Sequence, residues 1–302
     1  MVPEESKSQQ ALLEAFALAQ GEGDADSYSL LDVTSSPSHT ASTEKLTELL
    51  CEYKATITSA TLFKPLDGRT QIQHAGRCAL VSNSGVLLKH SYGDEIDAAD
   101  LVIRFNDAEV GGSVRANVGS RDDVRVLNRK LGNAIATGDF NLTDRTTYML
   151  IRHREDEVAQ VLHWLNTTHA LAHDGQIMVG TGKAEEIATK ILTSPPFDVA
   201  IKMLPAGAKN GNPSTGFVGL MLAMSLCDEV HAYGFASTRE ARHSPFHYYG
   251  SLKEVVGGQQ LIHAGDHPLA SVEKKVFAKL DDADAKQADK TVVPGYSQLE
   301  FC

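Results

Sequence analysis

From residue 46 to the C-terminus, short apolar runs alternate with stretches in which apolar residues recur at helical spacing. Strands are predicted at residues 78–82, 100–105, 123–127, 147–152, 176–179, 199–204 and 229–233. Helices are predicted to open at Val86 and to cover residues 155–165, 184–192, 215–226 and 268–280. Because strands that alternate with helices form a mostly parallel central sheet flanked by helices, the pattern predicts an α/β fold with a single Rossmann-like domain.

The first 45 residues follow a different pattern, rich in Ser, Thr, Gln, Ala and acidic residues. One amphipathic helix is predicted at residues 6–19, whereas residues 21–43 carry too little apolar surface to form a packed core. The chain is therefore predicted to consist of a flexible N-terminal stem or tail at residues 1–45 and a globular domain at residues 46–302.

Charge and composition exclude several classes of function. The chain has 302 residues and a formal net charge of −11. Nucleic acid is a poor partner for such a chain, because phosphate contacts need clustered Lys and Arg. No stretch approaches the roughly 20 apolar residues of a membrane-spanning helix, and the first residues lack the basic start and apolar core of a secretory signal. We expect either a soluble chain or a targeting segment and membrane anchor that are not present in this sequence.

Two segments, residues 77–106 and 212–235, each combine a strand pattern and a helix pattern with a turn of small polar residues. Such residues let the backbone at a helix start approach a phosphate or sugar closely. The turn residues concerned are Asn83, Ser84 and Gly85 in the first segment and Ser214, Thr215 and Gly216 in the second. The alternative in each segment is an ordinary turn with a helix cap. The GxGxxG fingerprint is absent, which argues against a nicotinamide enzyme.

Further polar side chains stand where open α/β sheets place ligand contacts. Asn106 ends a predicted strand, His247 and Tyr249 follow the last predicted strand, and His267 precedes the last predicted helix. Histidine titrates near neutrality and can accept a proton from a sugar hydroxyl. His247, His263 and His267 do not show a metal-ligand spacing, so no metal site is predicted. For each of these residues the alternative is a purely structural role.

Taken together, these residues resemble the eukaryotic sialyltransferase family, glycosyltransferase family 29. Residues 77–128 are similar to its large sialylmotif, 212–235 to the small sialylmotif, 247–250 to the third motif and 267–273 to the very small motif. The similarity spans residues 51–302. The segments RCALVS, NPSTG, HPLASVEKK and VPGYSQLEFC are most similar in wording to the animal β-galactoside α-2,6-sialyltransferases.

The resemblance implies a GT-A-like sialyltransferase fold and an inverting, metal-independent glycosyltransferase that needs no cofactor. Its implied substrates are CMP-sialic acid as the donor and a sugar hydroxyl of a glycan, expected to be a galactoside, as the acceptor. Carried over by position, His267 is implied as the catalytic base and His247 as the contact to the departing phosphate. The implied donor-binding residues are Asn83, Ser84, Asn106, Ser214, Thr215, Gly216 and Tyr249.

The resemblance also gives the cysteines a role, although from their number alone four buried thiols are an equal alternative. It implies a disulfide bond between Cys78 and Cys227, which would join the two long motifs, and a second between Cys51 and Cys302. Disulfide bonds imply an oxidising compartment, and the family implies the Golgi lumen of the secretory pathway. Sequons that begin at Asn141 and Asn166 are consistent with that location.

Departures from the family pattern leave two alternatives open. Gly250 stands where many members have an acidic residue, and five residues rather than four separate His267 from Glu273, so no role is carried over to Glu273. One alternative is therefore a non-catalytic homologue that binds a CMP-sugar. The other is a transferase for a different CMP-linked keto-deoxy sugar, Kdo or KDN, because the motifs bind parts that these donors share. The sequence leaves the linkage, the acceptor and the oligomeric state open.

Overall fold

The computed structural model describes residues 48, 50–55, 57–66, 72–143, 145–168, 177–194, 197–198, 211–235, 244–249, 255–256, 259–260, 269, 272–273, 276–277 and 296–300. All of them belong to one compact unit, Thr43–Cys302. Several sequence-based predictions fall outside the described residues: the stem at 1–45, the strand at 199–204, most of the helix at 268–280, Gly250, His267 and Cys302.

The described residues form strands and helices that alternate along the chain. The strands are β1 (Phe63–Pro65), β2 (Ala75–Val81), β3 (Leu101–Phe105), β4 (Val124–Leu127), β5 (Thr147–Leu150), β6 (Ile177–Gly180), β7 (Cys227–Tyr233), β8 (Val255–Val256), β9 (Gln259–Gln260) and β10 (Tyr296–Glu300). The α-helices are α1 (Ser59–Leu62), α2 (Gly93–Asp97), α3 (Arg115–Val118), α4 (Arg129–Ala136), α5 (Glu155–Thr168), α6 (Lys183–Thr193) and α7 (Thr215–Leu226). Two short segments, Gly85–Lys89 and Gly112–Val114, form 3₁₀ helices.

The central sheet has eight strands in the order β1-β6-β5-β4-β3-β2-β7-β10. The six inner strands are parallel, and only the edge strands β1 and β10 pair antiparallel. The predicted α/β fold with a mostly parallel sheet is therefore confirmed. From β2 the chain adds strands in one direction as far as β6, and it then returns to place β7 on the other side of β2. This reversal creates a switch point at the carboxyl ends of β2 and β7, where open α/β sheets bind ligands.

Helix α7 packs into the core on one face of the sheet. Its sequence, TGFVGLMLAMSL, is apolar all around, as expected for a helix with no solvent-facing side. A Cβ atom on Gly219 would overlap the ring of Phe105 at the end of β3, so glycine allows α7 to approach the sheet closely. Along β2, Cys78 and Leu80 join the α7 side of the core, while alternate residues pack in the cluster on the other face.

The segment after the first junction differs from its prediction. The helix predicted to open at Val86 is a 3₁₀ helix, Gly85–Lys89, that ends when the His90 N–H donates to the Leu87 carbonyl oxygen at 3.2 Å. The first N–H of this helix, that of Gly85, donates to the carbonyl oxygen of Pro245 at 3.1 Å, so its start is anchored to residues 244–249.

Cys78 in β2 and Cys227 at the start of β7 form a disulfide bond, which confirms that prediction. Their Cα atoms are 6.0 Å apart, and 149 positions separate them in the sequence. The bond links the two strands that create the switch point. Cys51 is also disulfide-bonded, whereas its predicted partner, Cys302, is not among the described residues.

We expect the double substitution Cys78→Ser and Cys227→Ser to lower the free energy of unfolding by about 2–5 kcal/mol, because the unfolded chain regains loop entropy. Denaturant titration of the variant and the wild-type chain under non-reducing conditions measures this difference. An unchanged midpoint and slope would contradict a stabilising role for the bond.

Candidate functional site

The first junction, Ser82 to Gly85, is fixed to the carboxyl end of β7. The Ser82 N–H donates to the Tyr233 carbonyl oxygen at 2.9 Å, and the Ser82 hydroxyl donates to the Gly234 carbonyl oxygen at 2.8 Å. These bonds continue the β2–β7 pairing beyond the last strand residues. The junction therefore lies at the switch point of the sheet, as predicted for a ligand-binding turn.

Residues 244–249 lie against this junction. An antiparallel bridge joins Ser84 to His247, and the Tyr248 N–H donates to the Asn83 carbonyl oxygen at 3.0 Å. The structure thus brings residues of the large motif and of the third motif into direct contact. Nothing in the sequence spacing alone indicates this pairing.

At the first junction, the N–H groups of Ser82, Ser84 and Gly85 donate to acceptors within the protein. The Gly85 N–H reaches the Pro245 carbonyl oxygen, and the Ser84 hydroxyl accepts from the Val86 N–H at 3.3 Å. A Cβ atom on Gly85 would overlap the Pro245 carbonyl oxygen, so this position requires glycine. The expectation of open N–H groups is therefore wrong for this helix start, and a ligand here would be contacted by side chains.

Those side chains form a cluster around Tyr249. Asn83 Nδ2 donates to Tyr249 Oη at 2.8 Å, and Tyr249 Oη donates to Asp107 Oδ1 at 3.1 Å. The Tyr249 ring stacks on the His247 imidazole with 5.2 Å between centroids and 3° between planes. Burial, with the neighbouring Asp107 carboxylate, raises the pKa of Tyr249, so its hydroxyl keeps its proton.

Asn106 directly follows β3, the neighbour of β2, in left-handed backbone geometry with a φ of 54°, a conformation that asparagine tolerates. Its Oδ1 atom accepts from the Asn128 N–H at 3.0 Å. Its carbonyl oxygen accepts from Arg125 Nη1 at 2.8 Å. The turn-forming alternative for Asn106 is thus supported by its contacts, and its predicted donor contact stays a prediction.

The second junction is the start of α7, which differs from the first in having open amides. Ser214 caps the helix, because its hydroxyl accepts from the Phe217 N–H at 3.1 Å. Within the described part of the chain, the Thr215 and Gly216 N–H groups donate no hydrogen bond. A Cβ atom on Gly216 would lie 3.2 Å from the ring of Phe235, which follows β7. This helix start therefore also lies at the carboxyl edge of the sheet.

Two charged residues that sequence reasoning left without a role hold the segment before α7. Glu273, whose side chain is buried, accepts from the Ser214 N–H at 2.6 Å. Arg152 Nη2 donates to the Pro213 carbonyl oxygen. Burial lowers the pKa of Arg152, and the carboxylates of Glu185 and Glu273 oppose that shift. In the sequence, Arg152 is marked only by its position as a charged residue at the end of the predicted apolar strand, residues 147–152.

The predicted site residues therefore form two groups at one edge of the sheet. Asn83, Ser84, His247 and Tyr249 form a contacting cluster, and Ser214, Thr215 and Gly216 form the start of α7. Among the described residues, no group of three or more His, Cys, Asp or Glu side chains is placed to hold a metal ion. No helix in that part of the chain is long and apolar enough to cross a bilayer.

We expect Glu273→Ala to lower the free energy of unfolding by about 1–3 kcal/mol, because it leaves the part-buried Ser214 N–H without its acceptor. Glu273→Gln keeps an acceptor oxygen and should lose less. Denaturant titration compares both variants with Glu52→Ala, which removes an exposed glutamate. Equal losses for the Ala and Gln variants would show that the oxygen at this position does not act as an acceptor.

Comparison with known proteins identifies the family of this chain. The family model for glycosyltransferase family 29 (sialyltransferase) matches residues 33–285. The chain is 24% identical over 247 residues to β-galactoside α-2,6-sialyltransferase 2 of Gallus gallus, covering 77% of this chain and 44% of the relative. It is 29% identical over 222 residues to α-N-acetylgalactosaminide α-2,6-sialyltransferase 3 of Mus musculus, covering 68% and 70%. The chain spans about half the length of the β-galactoside relatives that it matches.

A crystal structure of a mammalian sialyltransferase in complex with Gal-β-1,3-GalNAc-ortho-nitrophenol aligns with 79% of this chain and 84% of its own, at 21% identity and a TM-score of 0.41. The family match covers more than half of the chain and contains both junctions, His247 and His267. The chain therefore belongs to glycosyltransferase family 29, the sialyltransferases.

Proposed function

We propose that this chain transfers sialic acid from CMP-sialic acid to a sugar hydroxyl of a glycan, with inversion and without a metal ion. The observation that carries the proposal is the position of both junctions at the carboxyl edge of the sheet, beside the switch point between β2 and β7. Family membership supplies the reaction class, and the two junctions supply complementary contacts for a nucleotide-linked sugar.

The donor carries two anionic groups, a phosphate and a carboxylate. The Thr215 and Gly216 N–H groups stand at the positive end of a 12-residue helix, which favours one of these anions. His247, stacked on Tyr249, is proposed to contact the phosphate. Fixed donors of this kind stabilise the charge that grows on the phosphate as CMP departs, which is the task that a metal ion performs in other transferases.

The proposed reaction is a single displacement. The acceptor oxygen forms a bond to the anomeric carbon, the bond from that carbon to the phosphate oxygen breaks, and its electron pair leaves with CMP. The hydroxyl proton passes to the imidazole of His267, and attack opposite the leaving group inverts the centre. Support for His267 comes from its neighbours in sequence: Leu269 is buried in the core that contains α7, and Glu273 contacts Ser214.

The acceptor class is proposed from the relatives. The Gallus gallus relative is named for a β-galactoside acceptor and an α-2,6 linkage, whereas one Mus musculus relative, 26% identical, is named a type 2 lactosamine α-2,3-sialyltransferase. Because identities are similar for both linkages, we propose a galactoside acceptor and no particular linkage. The disulfide bond between Cys78 and Cys227 supports an oxidising compartment, and we propose the Golgi lumen.

We expect His267→Ala to lower the turnover of sialyl transfer by about 10²–10⁴-fold, the usual contribution of one general base, while CMP affinity is retained. Transfer assays and calorimetric CMP titration measure the two quantities. His263→Ala, which removes a histidine four positions earlier, is the matched control and should keep turnover. Unchanged turnover in His267→Ala would remove His267 from the role of base.

Parallel assays with CMP-sialic acid, CMP-KDN and CMP-Kdo on a glycan array, followed by linkage analysis, test the donor. We expect the highest rate with CMP-sialic acid, because family membership defines that donor class. Preference for CMP-Kdo would overturn the donor assignment. CMP binding without transfer from any donor would identify a non-catalytic homologue.

A further inference from the structure

Asp107 lies outside the residues that the motifs singled out, yet it touches the donor-site cluster. It follows Asn106 at the end of β3 and has an exposed side chain. Its Oδ1 atom accepts a hydrogen bond from Tyr249 Oη at 3.1 Å, across 142 positions of sequence. Asp107 also lines a cavity of about 560 Å³, together with Arg121 and Arg125.

The carboxylate of Asp107 fixes the direction of two hydrogen bonds, the one from Tyr249 to Asp107 and the one between Asn83 and Tyr249. A carboxylate only accepts, so the Tyr249 hydroxyl must give its hydrogen to Asp107. The hydroxyl oxygen then faces Asn83 as an acceptor, at 2.8 Å, and selects the Nδ2 side of that amide. A flipped amide would set Asn83 Oδ1 against the Tyr249 oxygen with no hydrogen between them.

The Asn83 amide is held in an orientation that is unfavourable for its own oxygen atom. Asn83 Oδ1 is buried and has no hydrogen-bond partner among the residues that the structure describes. An unsatisfied buried oxygen is unfavourable, so other contacts must hold the amide this way. The bond from Asn83 Nδ2 to Tyr249 is the contact that does so, and it leaves a second Nδ2 hydrogen for an acceptor oxygen on a ligand.

The same hydroxyl controls a second donor-site residue. With its oxygen held between Asn83 and Asp107, the Tyr249 ring has a fixed plane, and the His247 imidazole stacks within 3° of that plane. The backbones of these segments are held independently by the bridge between Ser84 and His247. Loss of the Asp107 carboxylate would therefore free the side chains of Tyr249 and His247 while the backbone contacts of their segment remain.

We propose that Asp107 is a positioning residue of the donor site, which acts through the Tyr249 hydroxyl to orient the Asn83 amide and the His247 imidazole for CMP. The inference rests on the proposed function, because CMP is the nucleotide of the proposed donor. Positioning and electrostatics predict opposite changes in CMP affinity when the Asp107 carboxylate is removed. Removal of a negative charge near an anionic ligand should strengthen binding, whereas loss of positioning should weaken it.

Calorimetric titration of CMP into the whole chain tests this proposal. We expect Asp107→Ala to weaken CMP binding by about 3- to 10-fold, and Tyr249→Phe to weaken it by a similar factor. The double variant should bind no more weakly than either single variant, because both remove one chain of contacts. Asp107→Asn keeps an acceptor oxygen and should restore near wild-type affinity.

Glu109→Ala is the matched control, because it removes an exposed acid two positions along the same loop. It should not weaken CMP binding. Thermal unfolding of each variant checks that the fold is intact, and Asp107→Asn provides a second reading if Asp107→Ala is destabilised.

The outcomes separate the two proposals. If the wild-type chain binds CMP and Asp107→Ala binds it equally or more tightly, the positioning role is overturned while the proposed function stands. Losses that multiply in the double variant would also overturn it. If the wild-type chain does not bind CMP, the proposed function fails, and the inference fails with it.

Discussion

The parallel pairing of β2 with β7 is the constraint on which the rest of the structure depends. The two strands are aligned from Ala75 opposite Cys227 to Val81 opposite Tyr233. This pairing closes a long stretch of chain, and such closure costs conformational entropy when the chain folds. The disulfide bond between Cys78 and Cys227 reduces that cost, since it keeps the two strands tethered when the chain unfolds.

Once β7 lies beside β2, the site follows from where the chain leaves the sheet. At the first junction the Gly85 N–H donates to the Pro245 carbonyl oxygen and the Ser84 N–H to the Ser82 hydroxyl. We therefore propose that recognition there depends on Asn83 and on the ring pair of His247 and Tyr249. We propose that the Thr215 N–H at the start of α7 receives an anionic group of the donor, because the positive end of a helix favours an anion. In the proposed donor pocket, the first junction would therefore contact the donor through side chains, and the start of α7 would contact it through backbone N–H groups.

Long apolar patterns were predicted well. Helix α7 has the predicted bounds, residues 215–226, because an uninterrupted apolar stretch follows a capping serine. Helix α4 was missed because it has only eight residues, so its apolar positions Leu131, Ala134 and Ile135 cover too few turns to stand out as a helical period. The edge strand β1, with three residues, is too short to show alternation.

The contacts within the candidate site were harder to predict from the sequence than the helices and strands. The proximity of Asn83 to the third motif was implied by family resemblance and was not visible in spacing, because the contacts join distant parts of the chain. Asp107 and Glu273 were not found for the same reason. The carboxylate of each accepts a hydrogen bond from a residue far away in sequence, and no local pattern marks such a residue.

The central claim is that both junctions bind one CMP-linked donor, and hydrogen–deuterium exchange with and without saturating CMP tests it most directly. We predict slower exchange on CMP addition in peptides that contain Asn83 and Ser84 and also in peptides that contain Thr215 and Gly216. Protection of neither junction, or protection confined to another face of the chain, would contradict the claim.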